Sequence, residues 1–403
     1  VEPGLTAMGS ARFFGFVIGG SLPAALGADW LTSAWDQNNC LYLATPGAAV
    51  AEEVAASWLV ELLGFPTGTS VGFTTGATTA NFTAIAAARH ALLAGVGWDV
   101  EEKGLIGAPE LEVVVGDEVH VSVLNALRMA GLGRGRARRV AVDDQGRMQP
   151  DELRRVLADC RAPTLVCAQA GNVNSGAFDP LERIADEVER HPAAWLHVDG
   201  AFGLWVAASP VLRPLIAGWQ RADSWATDAH KTLNVPYDSG LVFVRDAAAH
   251  RASMSASAAY LPPAPGSERD AMDYVPEMSR RARAFPIYAA LRALGREGVA
   301  ELVERLARMA RRFADRLAGR PGVEVLNEVV FNQVLARFGD DERTRAVVRR
   351  VQEDGTAWMG GTVWRGRAAM RISVSNWATG EEDVDRSVEA VLRALATVEA
   401  SAV

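Results

Sequence analysis

The sequence predicts an α/β protein: one large, mostly parallel sheet covered on both faces, followed by a small C-terminal α+β domain. Three observations predict it. From residue 111 to 244, short and continuously apolar runs alternate with helical stretches, the pattern of strands buried on both faces. Glycine and polar residues collect at the C-terminal ends of those runs, where open α/β sheets bind their ligands. Beyond residue 322, strand signals at 323–326, 332–338 and 369–375 mix with helices at 341–352 and 381–397.

Taken in order, residues 10–45 are rich in Gly, Phe and Trp, and Leu22 to Trp35 reads as an apolar helix with Pro23 at its start, where a missing N–H does little harm. Residues 48–63 place Val50, Val54, Trp58 and Leu62 on one helical face, which Gly64 and Pro66 end. Small hydroxyl residues and glycine from Ser70 to Thr79 lead into an Ala-rich helix that runs to about Leu93. Strands follow at 111–115, 139–142, 164–168, 195–198, 225–227 and 241–244, with helices over 120–129, 150–159 and 181–190 between them. Residues 258–278, centred on Leu-Pro-Pro-Ala-Pro-Gly-Ser, read as a mobile loop. Long helices over 287–318 lead into the last domain. The expected division is an N-terminal segment, 1–45, packed on the large domain and on a second subunit, a large domain, 46–286, and a small domain, 287–403.

Composition narrows the function. A net charge of −8 offers no basic surface for nucleic acid. No apolar stretch reaches the 18 or more residues of a membrane span, and no signal peptide is evident. The chain begins at Val1 without an initiator methionine, and preceding residues are expected. Three cysteines in apolar surroundings, with no CxxC, suit reduced thiols in a cytoplasmic protein. The six histidines form no metal-binding spacing, and there is no GxSxG elbow, Walker motif or GxGxxG.

What remains is a set of polar residues after strands or at helix starts: Gly76 to Thr78, His120, Asn172, His197 with Asp199 and Ala201, and His230 with Lys231. Lys231 is one of only two lysines and sits among small residues, where a lysine loses its proton more easily and can form an imine. Free N–H groups at the helix start near 77 suit a phosphate, and equally a plain cap by Thr75 or Thr78. A phosphate site, a flat ring, a polar turn, a carboxylate and an amine together fit a phosphorylated pyridine aldehyde.

The segments Thr75-Gly-Ala-Thr-Thr-Ala-Asn81, Asp117-Glu-Val-His120, His197-Val-Asp-Gly-Ala-Phe202 and Asp228-Ala-His-Lys231, with 280–285 and 370–376, resemble the pyridoxal-phosphate-dependent group II amino-acid decarboxylases, which include aromatic-L-amino-acid, histidine and glutamate decarboxylases. The resemblance implies the fold-type I architecture with a seven-stranded sheet, pyridoxal 5′-phosphate as cofactor, a small amino-acid substrate and a homodimer. It implies that Lys231 binds the cofactor aldehyde, Asp199 faces the ring nitrogen, His120 stacks on one ring face and Ala201 packs on the other. Ala77, Thr78 and His230 match the phosphate site. Asn172 stands where many relatives carry threonine near the 3′-oxygen. Arg371 resembles a carboxylate-contacting arginine and serves structure as readily. Tyr260 matches a loop tyrosine that protonates the substrate α-carbon after carbon dioxide leaves. Relatives with phenylalanine there form aldehydes, so tyrosine favours plain decarboxylation to an amine. The aromatic segment Phe13 to Ile18, with Trp30 and Trp35, lies where relatives place substrate-pocket and dimer-contact residues, which mildly favours an aromatic substrate. Aminotransfer, aldol cleavage and aldehyde formation are the competing reactions.

Overall fold

The computed structural model describes residues 2–261 and 268–401. Its helices and strands, in chain order, are α1 (Pro23–Trp35), α2 (Pro46–Leu63), β1 (Ser70–Thr74), α3 (Ala77–Ala94), α4 (Val100–Lys103), β2 (Glu112–Gly116), α5 (Val121–Met129), β3 (Arg138–Val140), α6 (Pro150–Ala158), β4 (Thr164–Gln169) and α7 (Leu181–Glu189). They continue with β5 (Ala194–Asp199), β6 (Ser224–Asp228), β7 (Gly240–Val244), α8 (Ala247–Met254), α9 (Ala284–Leu317), β8 (Val323–Val325), β9 (Gln333–Phe338), α10 (Asp341–Asp354), β10 (Gly360–Trp364), β11 (Arg367–Ser373) and α11 (Glu381–Ala400).

Seven strands form the large sheet in the order β1-β7-β6-β5-β4-β2-β3. The pairings from β6 to β3 are parallel, and β7 runs antiparallel to both its neighbours. The continuous apolar runs follow from burial on both faces. Val114, Val166, Leu196, Val198 and Phe243 enter one core, while Val113, Val115, Leu165, Cys167 and Val242 enter the other. Side chains alternate along a strand, so each strand needs apolar residues at odd and even positions alike. Four antiparallel strands in the order β10-β11-β9-β8 build the small domain, whose core includes Phe313, Val334, Phe338, Ile372 and Val388.

Two strands carry no clear mark in the sequence. In β1, hydroxyl residues and Gly72 break the apolar pattern, yet all five positions are buried. Glycine is required there, because a Cβ at residue 72 would come within 2.4 Å of the Tyr274 carbonyl. In β10 only Trp364 is buried, so the pattern is too weak to read.

The expected helices over 287–318 are the two arms of α9, which meet at a kink where Gly295 leaves helical geometry with φ of 62°. α9 runs through the expected boundary at 286/287 and feeds both cores, Ile287 and Leu291 in one and Leu306 and Phe313 in the other. The N-terminal segment also packs on both domains. Phe13 stacks on Trp358 and Phe14 meets Phe313 edge-on, each at 4.9 Å between ring centres, while Leu22 N–H donates to Asn234 O in the large domain. Most of the Leu-Pro-Pro-Ala-Pro-Gly-Ser loop lies outside the described residues. Its C-terminal side forms a short 3-10 turn, Ala271–Tyr274.

Candidate active site

β5 ends at Asp199, β6 at Asp228, and β7 begins at Gly240, so these three ends share one edge of the sheet. Lys231 follows β6 by one turn. Its Nζ lies 2.8 Å from Asp228 Oδ2, with 19% of the side chain exposed. The other oxygen of Asp228 accepts the Ala77 N–H at 2.6 Å and lies 3.5 Å from His230 Nε2. His230 is fixed in turn: its Nδ1 accepts the Ser239 N–H at 3.0 Å and its ring stacks on Tyr237. Burial pushes its pKa down, so the ring is uncharged at neutral pH.

The start of α3 is capped by Gly76 with no side-chain bond, so neither Thr75 nor Thr78 is the cap; Thr75 Oγ1 bonds Thr79 Oγ1 instead, at 3.0 Å. With Ala77 N–H taken by Asp228, the N–H groups of Thr78 and Thr79 are left without an intrahelical acceptor. Gly240 brings β7 hard against this turn, since a Cβ there would sit 2.5 Å from Gly76 Cα.

Asp199 is 3% exposed and surrounded by donors. Its Oδ2 accepts from Asn81 Nδ2 at 3.2 Å and Ser122 Oγ at 3.4 Å, and its Oδ1 accepts the Ala201 N–H at 3.2 Å. Ser122 Oγ also lies 2.8 Å from His120 Nδ1, and His120 is the cap of α5. Burial lowers the His120 pKa against the opposing pull of Asp199. Asp199, Lys231, Arg371 and Asp228 all contribute to the electrostatic field at His120. Arg371 donates to Val173 O at 3.1 Å, and burial lowers its pKa.

Two residues of the expected set stand apart. Asn172 follows β4 on the same sheet edge, but its Oδ1 accepts the N–H groups of Asn174 and Ser175 in its own turn. Its Nδ2 is buried without a hydrogen-bond partner. Tyr260 is 76% exposed, and among the described residues no hydrogen bond holds its hydroxyl. The aromatic residues Phe13 and Phe14 belong to packing against the small domain, and Trp30 and Trp35 are exposed on α1.

Sequence reasoning missed Asp228, Asn81, Ser122 and Asn234. The first three are polar positions on otherwise apolar or small-residue elements, which was the available signal. Asn234, at φ of 56°, uses its amide to tie Gly20 N, Lys231 O, Ser375 O and Trp377 N together.

These residues fit a pyridoxal phosphate. A half-buried primary amine has a carboxylate as its partner, a second carboxylate is backed by donors, and an uncharged imidazole stands at a helix start. A glycine-lined turn presents backbone N–H groups, and Asn172 keeps a buried donor unpaired. Among the described residues no cluster of metal-ligating side chains competes with that reading. Fold and site thus suit an α/β enzyme that uses a phosphorylated aldehyde cofactor.

The model of the pyridoxal-dependent decarboxylase conserved domain matches residues 1–338, and the chain belongs to that family. It is a pyridoxal-phosphate-dependent enzyme that decarboxylates an amino acid to an amine and carbon dioxide. Tryptophan decarboxylase 1 of Oryza sativa subsp. japonica is 29% identical over 423 residues, covering 97% of this chain and 81% of that protein. An acidic amino acid decarboxylase of Homo sapiens is 33% identical over 325 residues, covering 79% of this chain and 61% of the human protein. Among solved structures, Oryza sativa TDC with PLP and tryptamine superposes with a TM-score of 0.91 at 26% identity, over 98% of this chain and 86% of that one. Mouse CSAD gives 0.89 at 26% identity, over 96% and 84%.

Proposed function

We propose that the protein decarboxylates an L-amino acid with an uncharged, aromatic side chain, using Lys231 as the covalent anchor of the cofactor. The observation that carries the anchor is the pairing of a half-buried Lys231 with Asp228 on the sheet edge where Asp199 also ends. Bound pyridoxal phosphate supplies a conjugated pyridine that accepts the electron pair left when the carboxylate departs. In this reading Asp199 faces the ring nitrogen, His120 and Ala201 hold the two ring faces, and Thr78 with His230 and the start of α3 hold the phosphate. Asn172 offers its unpaired Nδ2 to the cofactor's oxygen. Arg371 orients the substrate carboxylate, and Tyr260 protonates the α-carbon once its loop covers the site.

Side-chain preference follows from charge. Arg371 is assigned to the α-carboxylate in this reading, so an acidic side chain would compete with that carboxylate for its guanidinium. The second reading, an acidic substrate, needs Arg371 to take the side-chain carboxylate instead. A panel of aromatic and acidic amino acids decides between them: tryptamine- or tyramine-type products support the first, and release of amine from acidic substrates alone overturns it. Keto acid or split carbon skeletons as the only products would overturn decarboxylation itself.

A homodimer is part of the proposal, supported by the exposed apolar face of α1, where Trp30, Leu31 and Trp35 are 67%, 49% and 50% exposed. Sedimentation should find twice the chain mass. A cytoplasmic location is supported by the free, buried Cys40, Cys160 and Cys167.

A further inference from the structure

Behind Asp199 runs a line of polar groups that the decarboxylation reading does not use. Trp195, His197 and Asp199 alternate along β5 and share one face of the sheet. Trp195 Nε1 donates to Ser224 Oγ at 2.8 Å, and Ser224 Oγ lies 2.9 Å from His197 Nδ1. His197 Nε2 lies 2.9 Å from Asn81 Oδ1, and Asn81 Nδ2 donates to Asp199 Oδ2 at 3.2 Å. Ser224, His197 and Asn81 are fully buried, and Trp195 nearly so.

The two ends of this line fix its direction. An indole N–H can only donate and a carboxylate can only accept. Between them one assignment satisfies every link: the Ser224 hydroxyl passes its proton to His197 Nδ1, His197 carries its own on Nε2, and Asn81 turns its NH2 toward Asp199. Reversing the line sets the Asn81 carbonyl against the Asp199 carboxylate, two acceptors facing each other where no water enters. Burial supports the same state, holding the His197 pKa down at about 3, so the imidazole stays uncharged and single-tautomer at working pH.

We infer that the Trp195–Ser224–His197–Asn81 line is a positioning relay for Asp199, fixing the plane of its carboxylate and so setting how firmly the cofactor is held and how its ring is polarised. The inference rests on the reading that Asp199 faces the ring nitrogen. Its distinctive content is that Trp195, four hydrogen bonds from the carboxylate, tunes the cofactor without touching it.

The test compares Asn81→Asp, Trp195→Phe and Asp199→Asn with the unaltered holoenzyme. Asn81→Asp keeps the shape and replaces the donor by an acceptor. Trp195→Phe removes the indole donor and leaves a small cavity in its place. Each is measured for cofactor affinity by titrating the apo-protein and following the visible band, for the shape of that band without substrate, and for kcat and KM. The relay predicts that Asn81→Asp weakens cofactor binding about tenfold and lowers kcat with KM little changed. Trp195→Phe should shift the same quantities in the same direction by a few-fold, with the melting temperature nearly retained. If Asn81→Asp does not fold, Trp195→Phe carries the test alone. Asp199→Asn separates the two levels of argument. Should it disturb affinity and band shape while Trp195→Phe leaves both as they were, the relay is wrong and the Asp199 assignment stands. Should Asp199→Asn leave both unaltered, the assignment fails and the relay with it.

Discussion

The sheet edge around Asp199 and Lys231 and the loop that carries Tyr260 are built on opposite terms. On the sheet edge each functional group is buried and tied: Asp199 to Asn81, Ser122 and Ala201, Lys231 to Asp228, His230 to Ser239. Tyr260 is 76% exposed, with no hydrogen bond to its hydroxyl among the described residues. Folding alone therefore prepares the cofactor's seat, whereas the proposed proton donor must be brought in afterwards. Damage to the first region should cost the cofactor. Damage to the second should leave the cofactor in place and alter the product.

That contrast can be broken most sharply at Lys231. Lys231→Ala should abolish the visible band of the bound cofactor and reduce turnover by about 10⁴-fold or more; a covalent adduct surviving in this variant would remove the basis of the site. Asp199→Asn comes next, with kcat expected to fall about 10²- to 10³-fold through loss of the preorganised anion. Tyr260→Phe should lower amine formation about 10²-fold while cofactor affinity stays unchanged, and aldehyde with oxygen uptake should appear in its place. If it lost cofactor instead, the two regions would not be separate. Arg371→Gln should raise KM about tenfold with a smaller change in kcat, as removal of a charged hydrogen bond to substrate does.

The smallest effect concerns stability and tests how firmly the two regions are anchored. Burial holds both His197, beneath Asp199, and His250 down at about 3. His250 bonds Ser70 Oγ and the Tyr274 carbonyl, each at 2.9 Å, where the Tyr260 loop rejoins the large domain. The unfolded chain takes up protons at both histidines below about pH 6.5 and the folded chain does not. Their contribution is thus present above pH 6.5 and lost as pH falls toward 3. Between pH 6.5 and 5 each should remove about 1.5 kcal/mol of unfolding free energy, measurable as a lower urea midpoint. His250→Gln should flatten part of that slope.

The positions of Lys231 and Asp199 at the ends of β6 and β5 were legible because each follows a strand signal, and a strand's end is where a sheet exposes its chemistry. Six of the seven strands of the large sheet, β2 to β7, were legible for the same reason. β1 was not, since Gly72 answers to the Tyr274 backbone crossing above it, Ser70 to the His250 ring and Thr74 to the Gly76 carbonyl, rather than to the apolar pattern. Asp228 was visible as a residue but not as a partner. Its three neighbours, Ala77, His230 and Lys231, come from two segments about 150 positions apart, and only the sheet order brings them together. Asn81 and Ser122 were hidden likewise, because a polar residue on a helix declares neither its face nor its neighbour until the helix is packed.

The amide of Asn234 has a consequence for how the enzyme comes into being. Its bonds to Gly20 and Ser375 reach 214 positions back and 141 forward, and a third holds the carbonyl of Lys231 itself. The proposed anchor at Lys231 therefore acquires its final placement only when the segment around Ser375 has joined the rest. Vitamin capture should report a completed chain, and ribosome-bound fragments that stop before residue 375 should remain colourless.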